Sequence, residues 1–290
     1  MATTPAQGLS TSIPARSEPG KPVSMRRLFL PILCATLLIL SLSAPAETAA
    51  APKKILNLCT LHFPSDERVE WDCRRLKRGE TAEKLFGDYW EDVLRFNRVD
   101  RRHLNEGVSI KVPKNIEDVV GFSPMPLTWS EAAEEEKFIL VDQTEQFLGA
   151  YEFGRLTFSL PIATGDRKNK TPTGMFKITA FDRWHSSSLY QIEDTQINYP
   201  MHFGLRFHIS ANWVSYWIHG RDVPGYPASH GCIGLYDEEM QKRYYGIRKE
   251  PVLMDARRLY EWAISSLPYS DRFTRLKDGP RIRIIGEPPI

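Results

Sequence analysis

The residues of this chain best placed to do chemistry are a cysteine and two histidines close together: His219-Gly220, then Ser229-His230-Gly231-Cys232. A free thiol ionises near pH ~8.5, so at neutral pH it needs a base beside it to become a nucleophile. A histidine paired with a cysteine supplies that base, and His219 and His230 are both candidates. Gly231 lets the backbone approach a developing negative charge, so the Gly231 and Cys232 amides are expected as oxyanion donors. His230 stands two residues before Cys232 and on extended chain faces the same side. Ser229 is read as a group for substrate or for a neighbouring backbone atom. No metal or other cofactor is called for, because the histidines lack a second cysteine or an H-x-x-x-H partner nearby.

The first residues bear on where this chemistry takes place. Met25-Arg26-Arg27 precedes a nearly continuous apolar run over 28–42, and Ala44-Pro45-Ala46 follows as a small-x-small cleavage site. That order is the pattern of a secretory signal, cleaved or retained as an anchor, with Met25 an alternative start. Cutting after Ala46 removes four basic residues and one acidic residue, turning the formal net charge from +2 to −1. No basic run points to nucleic acid. The expected location is outside the cytoplasm, in the periplasm or cell envelope. Three cysteines then remain, Cys59, Cys73 and Cys232. In an oxidising compartment two can pair. Cys59 and Cys73 are close in sequence and are expected to form a disulfide, leaving Cys232 free.

Two folded parts are expected after the N-terminal extension and signal (1–46) and a linker (47–54). The first (55–114) reads as strand, helix, helix, strand. Residues 70–76 are the first strand, 81–86 and 89–97 the helices with Thr81 as a cap, and 108–112 the closing strand. A connector follows over 115–136; Ser123-Pro124-Met125-Pro126 and Glu134-Glu135-Glu136 are expected to bury little. From Lys137 the pattern turns to strands, at 138–142, 146–153, 156–163, 174–180, 203–209 and 213–219, the last placing His219 at a strand end. Beyond Cys232, 237–243 reads as a short helix, 251–254 as a strand, 256–267 as a surface helix and 281–285 as a closing strand. The pattern fits a mainly β fold better than a doubly wound α/β one.

The order of elements in the first part, with Gly79-Glu80-Thr81, Phe96-Asn97-Arg98 and Gly107-Val108-Ser109-Ile110-Lys111-Val112-Pro113, resembles a LysM module, the small peptidoglycan-binding domain. The segment between its helices is shorter than usual. The second part resembles the L,D-transpeptidase family with its YkuD-type catalytic domain, over about 137–255. The matching blocks are Ile139-Leu140-Val141-Asp142, Pro161-Ile162-Ala163-Thr164-Gly165, Thr171-Pro172-Thr173-Gly174-Met175-Phe176, Ile218-His219-Gly220 and Ser229-His230-Gly231-Cys232-Ile233. Residues 256–290 stand as a C-terminal extension.

The resemblance implies a β-sandwich-like fold and a cysteine acyl-enzyme. The donor would be a peptidoglycan stem tetrapeptide attacked at the carbonyl of its third residue, with release of the terminal D-alanine. The acyl group would pass to an amine, giving a 3→3 cross-link. Cys232 would be the nucleophile and His219 its base, with the Gly220 carbonyl orienting the ring and His230 as the alternative. Hydrolysis at the same position and a catalytically inactive wall-binding scaffold are the competing readings. Two departures matter. Gly234 stands where the family has Arg or Asn two residues after the cysteine, and Arg221 is the candidate to compensate. The loop 221–228 is short and carries Pro224-Gly225-Tyr226-Pro227, which implies an open cleft, with Tyr226 either covering substrate or packing in the loop.

Overall fold

A computed structural model of the protein describes residues 54–267 and 270–290; the signal segment, the extension before it and nearly all of the linker lie outside them. The first part is built from β1 (Trp71–Arg75), α1 (Ala82–Phe86), α2 (Trp90–Phe96) and β2 (Ser109–Pro113). Thr81 caps α1 by accepting the Lys84 amide. β1 and β2 pair antiparallel. Asn97 fastens the end of α2 to β2, donating to the Val93 and Lys111 carbonyls and accepting the Lys111 amide. A disulfide joins Cys59 to Cys73, and Cys232 is free.

The rest is mainly β: β3 (Phe138–Asp142), β4 (Phe147–Glu152), β5 (Arg155–Pro161), β6 (Gly174–Lys177), β7 (Ala180–Asp182), β8 (Ser186–Gln191), β9 (Asn198–Pro200), β10 (Gly204–Ile209), β11 (Ser215–Arg221) and β12 (Ile233–Tyr236). Helices α3 (Glu238–Tyr245) and α4 (Asp255–Ile264) follow, then β13 (Thr274–Arg275) and β14 (Arg281–Ile285). One five-stranded sheet has the order β5-β4-β3-β14-β6, the other β12-β11-β10-β7-β13. Their inner faces share one core, in which Ile139, Val141, Leu148 and Ile284 meet Leu205, Phe207, Ile218 and Ile233. Helix α4 adds Leu259, Tyr260 and Ala263 to it.

Several elements differ from the sequence expectation. The strand expected at 174–180 is two strands, because the chain crosses from one sheet to the other between Lys177 and Ala180. Residues 251–254 form no strand; the Glu238 carboxylate accepts the Val252 and Leu253 amides instead. His219 lies within β11, two residues before its end. The segment 256–290 is no appendage, since β14 sits between β3 and β6 in the sheet. The connector buries more than expected. β3 is apolar on both faces, and its outer residues Phe138 and Leu140 need cover. Met125 and Ala132 supply it, and Tyr151 anchors the segment by donating to the Pro126 carbonyl at 2.8 Å.

The largest difference is that the two folded parts share a core. Leu58, Leu61, Phe63, Leu94 and Val99 of the first part pack with Val223, Tyr226 and Tyr236 of the second. Beside this core lies a fully buried cation, Arg98. It donates to Asp66 at 2.9 Å, to the Ser65 hydroxyl at 2.9 Å and to both the carbonyl and the carboxylate of Glu145. Phe63 stacks on the guanidinium at 3.9 Å. Asp66 also binds Lys111, which is itself buried. Glu145 comes from the β3–β4 turn, so this network ties the two parts together. Removing one member of a buried ionic network leaves the others unpaired in a low dielectric, which typically costs about 3–5 kcal/mol. Arg98→Met is expected to lower unfolding free energy by about that amount. In urea, the wild-type protein should unfold with one transition by tryptophan fluorescence and by circular dichroism. Two separated transitions would contradict a shared core.

Candidate active site

The site follows from one strand pairing. β11 and β12 run parallel, with Ile218 opposite Ile233 and His219 opposite Gly234. Ile218 and Ile233 point into the core between the sheets. Alternation along a strand then sends Trp217, His219 and Arg221 to the opposite face, along with Gly234 and, one step before β12, Cys232. The thiol and imidazole that the sequence separates thus share one face of adjacent strands. Both line a cavity of about 860 Å³.

The turn that delivers Cys232 is held by its own residues and by the segment after β5. Gly231 has φ +108°, and a Cβ there would stand 2.6 Å from the Tyr216 ring, so only glycine fits. The Ser229 hydroxyl accepts the Gly231 amide at 3.0 Å and donates to the Cys232 carbonyl. The Ala228 and Ser229 amides both donate to the Thr164 carbonyl at 3.0 Å. Ala163 and Gly234 exchange two hydrogen bonds of 2.9 Å. Thr171 accepts the Gly165 amide at 2.9 Å. The P-I-A-T-G and T-P-T-G blocks are therefore the floor of the turn that carries Cys232.

His219 is buried and its Nδ1 lies 2.8 Å from the Gly220 carbonyl. A carbonyl only accepts, so Nδ1 carries the proton and Nε2 keeps its lone pair in the neutral ring. Burial lowers the imidazole's pKa to about 3, against the Gly220 bond, which acts to raise it. Burial raises the Cys232 thiol above its ordinary value, while a backbone hydrogen bond at Trp217 and the Arg221 charge act the other way. Both directions favour a neutral thiol beside a neutral imidazole. His230 is placed differently: it stacks on Tyr190 of β8, ring centroids 4.7 Å apart and planes 20° from parallel.

The other residues singled out in the sequence sort as follows. Ser229 is buried, lines the cavity and is bonded within its own turn, where it shapes the backbone. The same hydroxyl accepts the Gly231 amide, so that donor is engaged within the turn in this structure. Tyr226 lines the cavity, yet is nearly buried in the core shared with Leu58. Arg221 also lines the cavity; it donates to the Asp222 and Ala228 carbonyls at 3.1 and 3.0 Å. Gly234 faces the Arg221 stem. Cys59 and Cys73 lie in the first part, bonded to each other.

Some cavity residues carry no signal in the sequence. The polar stretch of β8 and β9 forms a hairpin that walls the cavity, so the short 221–228 loop does not leave it bare; Tyr190 and Ile192 come from this hairpin. Arg102 and His103 arrive from the first part. Their neighbours Asp100 and Asp222 make a carboxylate–imidazole cluster. Its oxygens are already taken by Val223, Gln241, His103 and Arg102, so it reads as an ionic latch between the two parts.

Part of the chain is similar to a known family. Residues 136–263 match the family model of the YkuD L,D-transpeptidase catalytic domain. That L,D-transpeptidase match includes His219, Cys232 and both sheets except β13 and β14, and it leaves out residues 55–114. Among solved structures, an L,D-transpeptidase from Stackebrandtia nassauensis aligns at 21% identity over 54% of this chain and 58% of its own, with a TM-score of 0.36. One from Xylanimonas cellulosilytica aligns at 19% identity over 73% and 98%, with a TM-score of 0.41. L,D-transpeptidase 1 from Mycobacterium tuberculosis aligns at 15% identity over 52% and 62%, with a TM-score of 0.33. The chain spans little more than half the length of the first of these. No curated protein matches.

The raised thiol and lowered imidazole predict a specific pH dependence. Alkylation of Cys232 by iodoacetamide should be slower at pH 7 than that of an unperturbed cysteine, which ionises near ~8.5, and should rise through the alkaline range without a step near pH ~6.5. A plateau reached below neutrality would mean a preformed thiolate–imidazolium pair and would contradict the neutral assignment.

Proposed function

We propose that this protein is a peptidoglycan L,D-transpeptidase. The observation that carries the reading is the juxtaposition of Cys232 and the tautomer-fixed His219 on one cavity face, within a segment matching the L,D-transpeptidase domain. The disulfide between Cys59 and Cys73 supports a location outside the reducing cytoplasm, in the periplasm or envelope. The β1-α1-α2-β2 part, as a LysM-like module, would bring the enzyme to the wall while packed against the catalytic part.

In this reading the donor is a stem tetrapeptide. Cys232 Sγ attacks the carbonyl carbon of its third residue as His219 Nε2 takes the thiol proton. Negative charge develops on the carbonyl oxygen and is met by the Cys232 amide. Collapse breaks the bond to the terminal D-alanine, whose nitrogen takes the proton from His219. A thioester remains. A side-chain amine of a second stem attacks it, His219 accepts the amine's proton, and the thiol is restored as the new amide forms. The nucleophile needs no resting thiolate, since proton transfer accompanies attack.

With tetrapeptide muropeptides as donor and an amine-bearing stem as acceptor, mass spectrometry should find 3→3 dimers and free D-alanine. Cys232→Ala should abolish both, and His219→Gln should slow them by about 10²–10⁴-fold. Loss of D-alanine without dimers would make the protein a carboxypeptidase. No turnover by wild-type protein would leave a wall-binding scaffold.

A further inference from the structure

Gly234 and Arg221 compete for one volume. A Cβ at Gly234 would stand 1.9 Å from Arg221 Cδ and 2.1 Å from Cγ. Those are carbons in the middle of a side chain whose far end is fixed by the Asp222 and Ala228 carbonyls. The stem therefore has no room to step aside, and the strand pair β11–β12 accepts a side chain at 221 or at 234 but not at both. Arg221 belongs to the same strand face as His219, and Gly234 is the register partner of His219. The guanidinium is thus delivered beside the nucleophile from the histidine's strand.

Asp222 feels its charge, but among the described residues no carboxylate forms an ion pair with it, and the Asp222 carboxylate is taken by Arg102 and Gln241. Among the described residues lining the cavity, only Arg102 and Arg221 carry a permanent positive charge. Arg102 is engaged, paired with Asp222 at 3.1 Å and stacked over Tyr245 at 4.0 Å. Arg221 binds only neutral carbonyls, which occupy Nε and one hydrogen of Nη2. A guanidinium carries five N–H donors, so three remain, two of them on Nη1. A carboxylate is the ligand that matches such a donor edge in charge and geometry.

We propose that Arg221, whose stem occupies the room that Gly234 leaves, holds a carboxylate of the substrate peptide next to Cys232. Arg221 is then a specificity residue, and the substrate class is a peptide with a free carboxylate near the bond that is broken. The inference deepens the L,D-transpeptidase reading and rests on it for the identity of the peptide.

Two measurements separate the two claims. The first needs no turnover: N-acetyl-D-alanine should slow iodoacetamide alkylation of Cys232 in the wild type, while its amide should not. Arg221→Gln should remove that protection, and the exchange Arg221→Gly with Gly234→Arg should restore it. Gly234→Arg alone should destabilise the fold. The second compares donor peptides with free and amidated C-termini. The wild type should favour the free acid by about tenfold in kcat/KM, the size of one lost charge-assisted hydrogen bond, with the difference mostly in KM. Arg221→Gln should erase the preference. No protection in the wild type, or an undiminished preference or protection in Arg221→Gln, would overturn the role of Arg221. An exchange variant that folds but behaves like Arg221→Gly would overturn the shared volume. Protection without turnover of either peptide would keep Arg221 as a carboxylate anchor and reject the transpeptidase reading.

Discussion

The parallel pairing of β11 with β12 is the constraint on which the rest depends. It is a pairing between strands joined by a short loop, which a parallel pair does not tolerate without support. The chain leaves β11 after Arg221, turns through Pro224-Gly225-Tyr226-Pro227 and returns by the Ser229–Cys232 turn to start β12 in the same direction. The register puts Ile218 and Ile233 in the core. A slip by one residue would invert the faces and send His219 inward. Burial of the two isoleucines and alignment of the imidazole with the thiol are therefore one structural fact.

The first folded part is what supports that short return. Asp100 accepts the Val223 amide at 2.8 Å through its carboxylate and donates its own amide to the Val223 carbonyl at 2.8 Å. A Cβ at Gly225 would strike Leu58 at 2.6 Å. Tyr236, at the end of β12, donates to the Leu94 and Val99 carbonyls. Arg95 pairs with Asp255 at the start of α4, and Arg101 with Glu238 at the start of α3, where acidic residues also suit the helix dipole. The Arg98 network holds this part in place from the other side. A domain that the sequence presents as a separate bead is thus the backing of the loop that leads to Cys232 and supplies Arg102 to the cavity.

How much of this was legible in the sequence depended on whether the signal was local. The closing strand at 281–285 was legible as β14 with bounds that match, and Thr81 marked the start of α1. The motif named Cys232 and both histidines because their chemistry is carried by residue type. The His219 contact was local, since its neighbour's carbonyl fixes the ring; the setting of His230 was not, because it meets Tyr190, forty residues away, in a polar hairpin without periodicity. The connector misled because Met125 and Ala132 are scattered apolar positions, and their partners on the outer face of β3 are visible only once the sheet is formed. Gly234 could be recognised as a departure, but the Arg221 stem that requires it is seen only across the strand pair.

The neutral resting state fits this architecture. A half-buried thiol beside a buried imidazole avoids the cost of separated charges away from bulk water, and in the proposed mechanism the proton would move only when a substrate carbonyl is present to take the electron pair. The central claim is that Cys232 becomes acylated. Intact-protein mass spectrometry during turnover of a stem tetrapeptide tests it most directly. The account predicts a covalent gain equal to the donor less D-alanine, localised to Cys232 by peptide mapping and absent from Cys232→Ala. Turnover without that adduct when the reaction is quenched in acid, or an adduct that persists in Cys232→Ala, would contradict it.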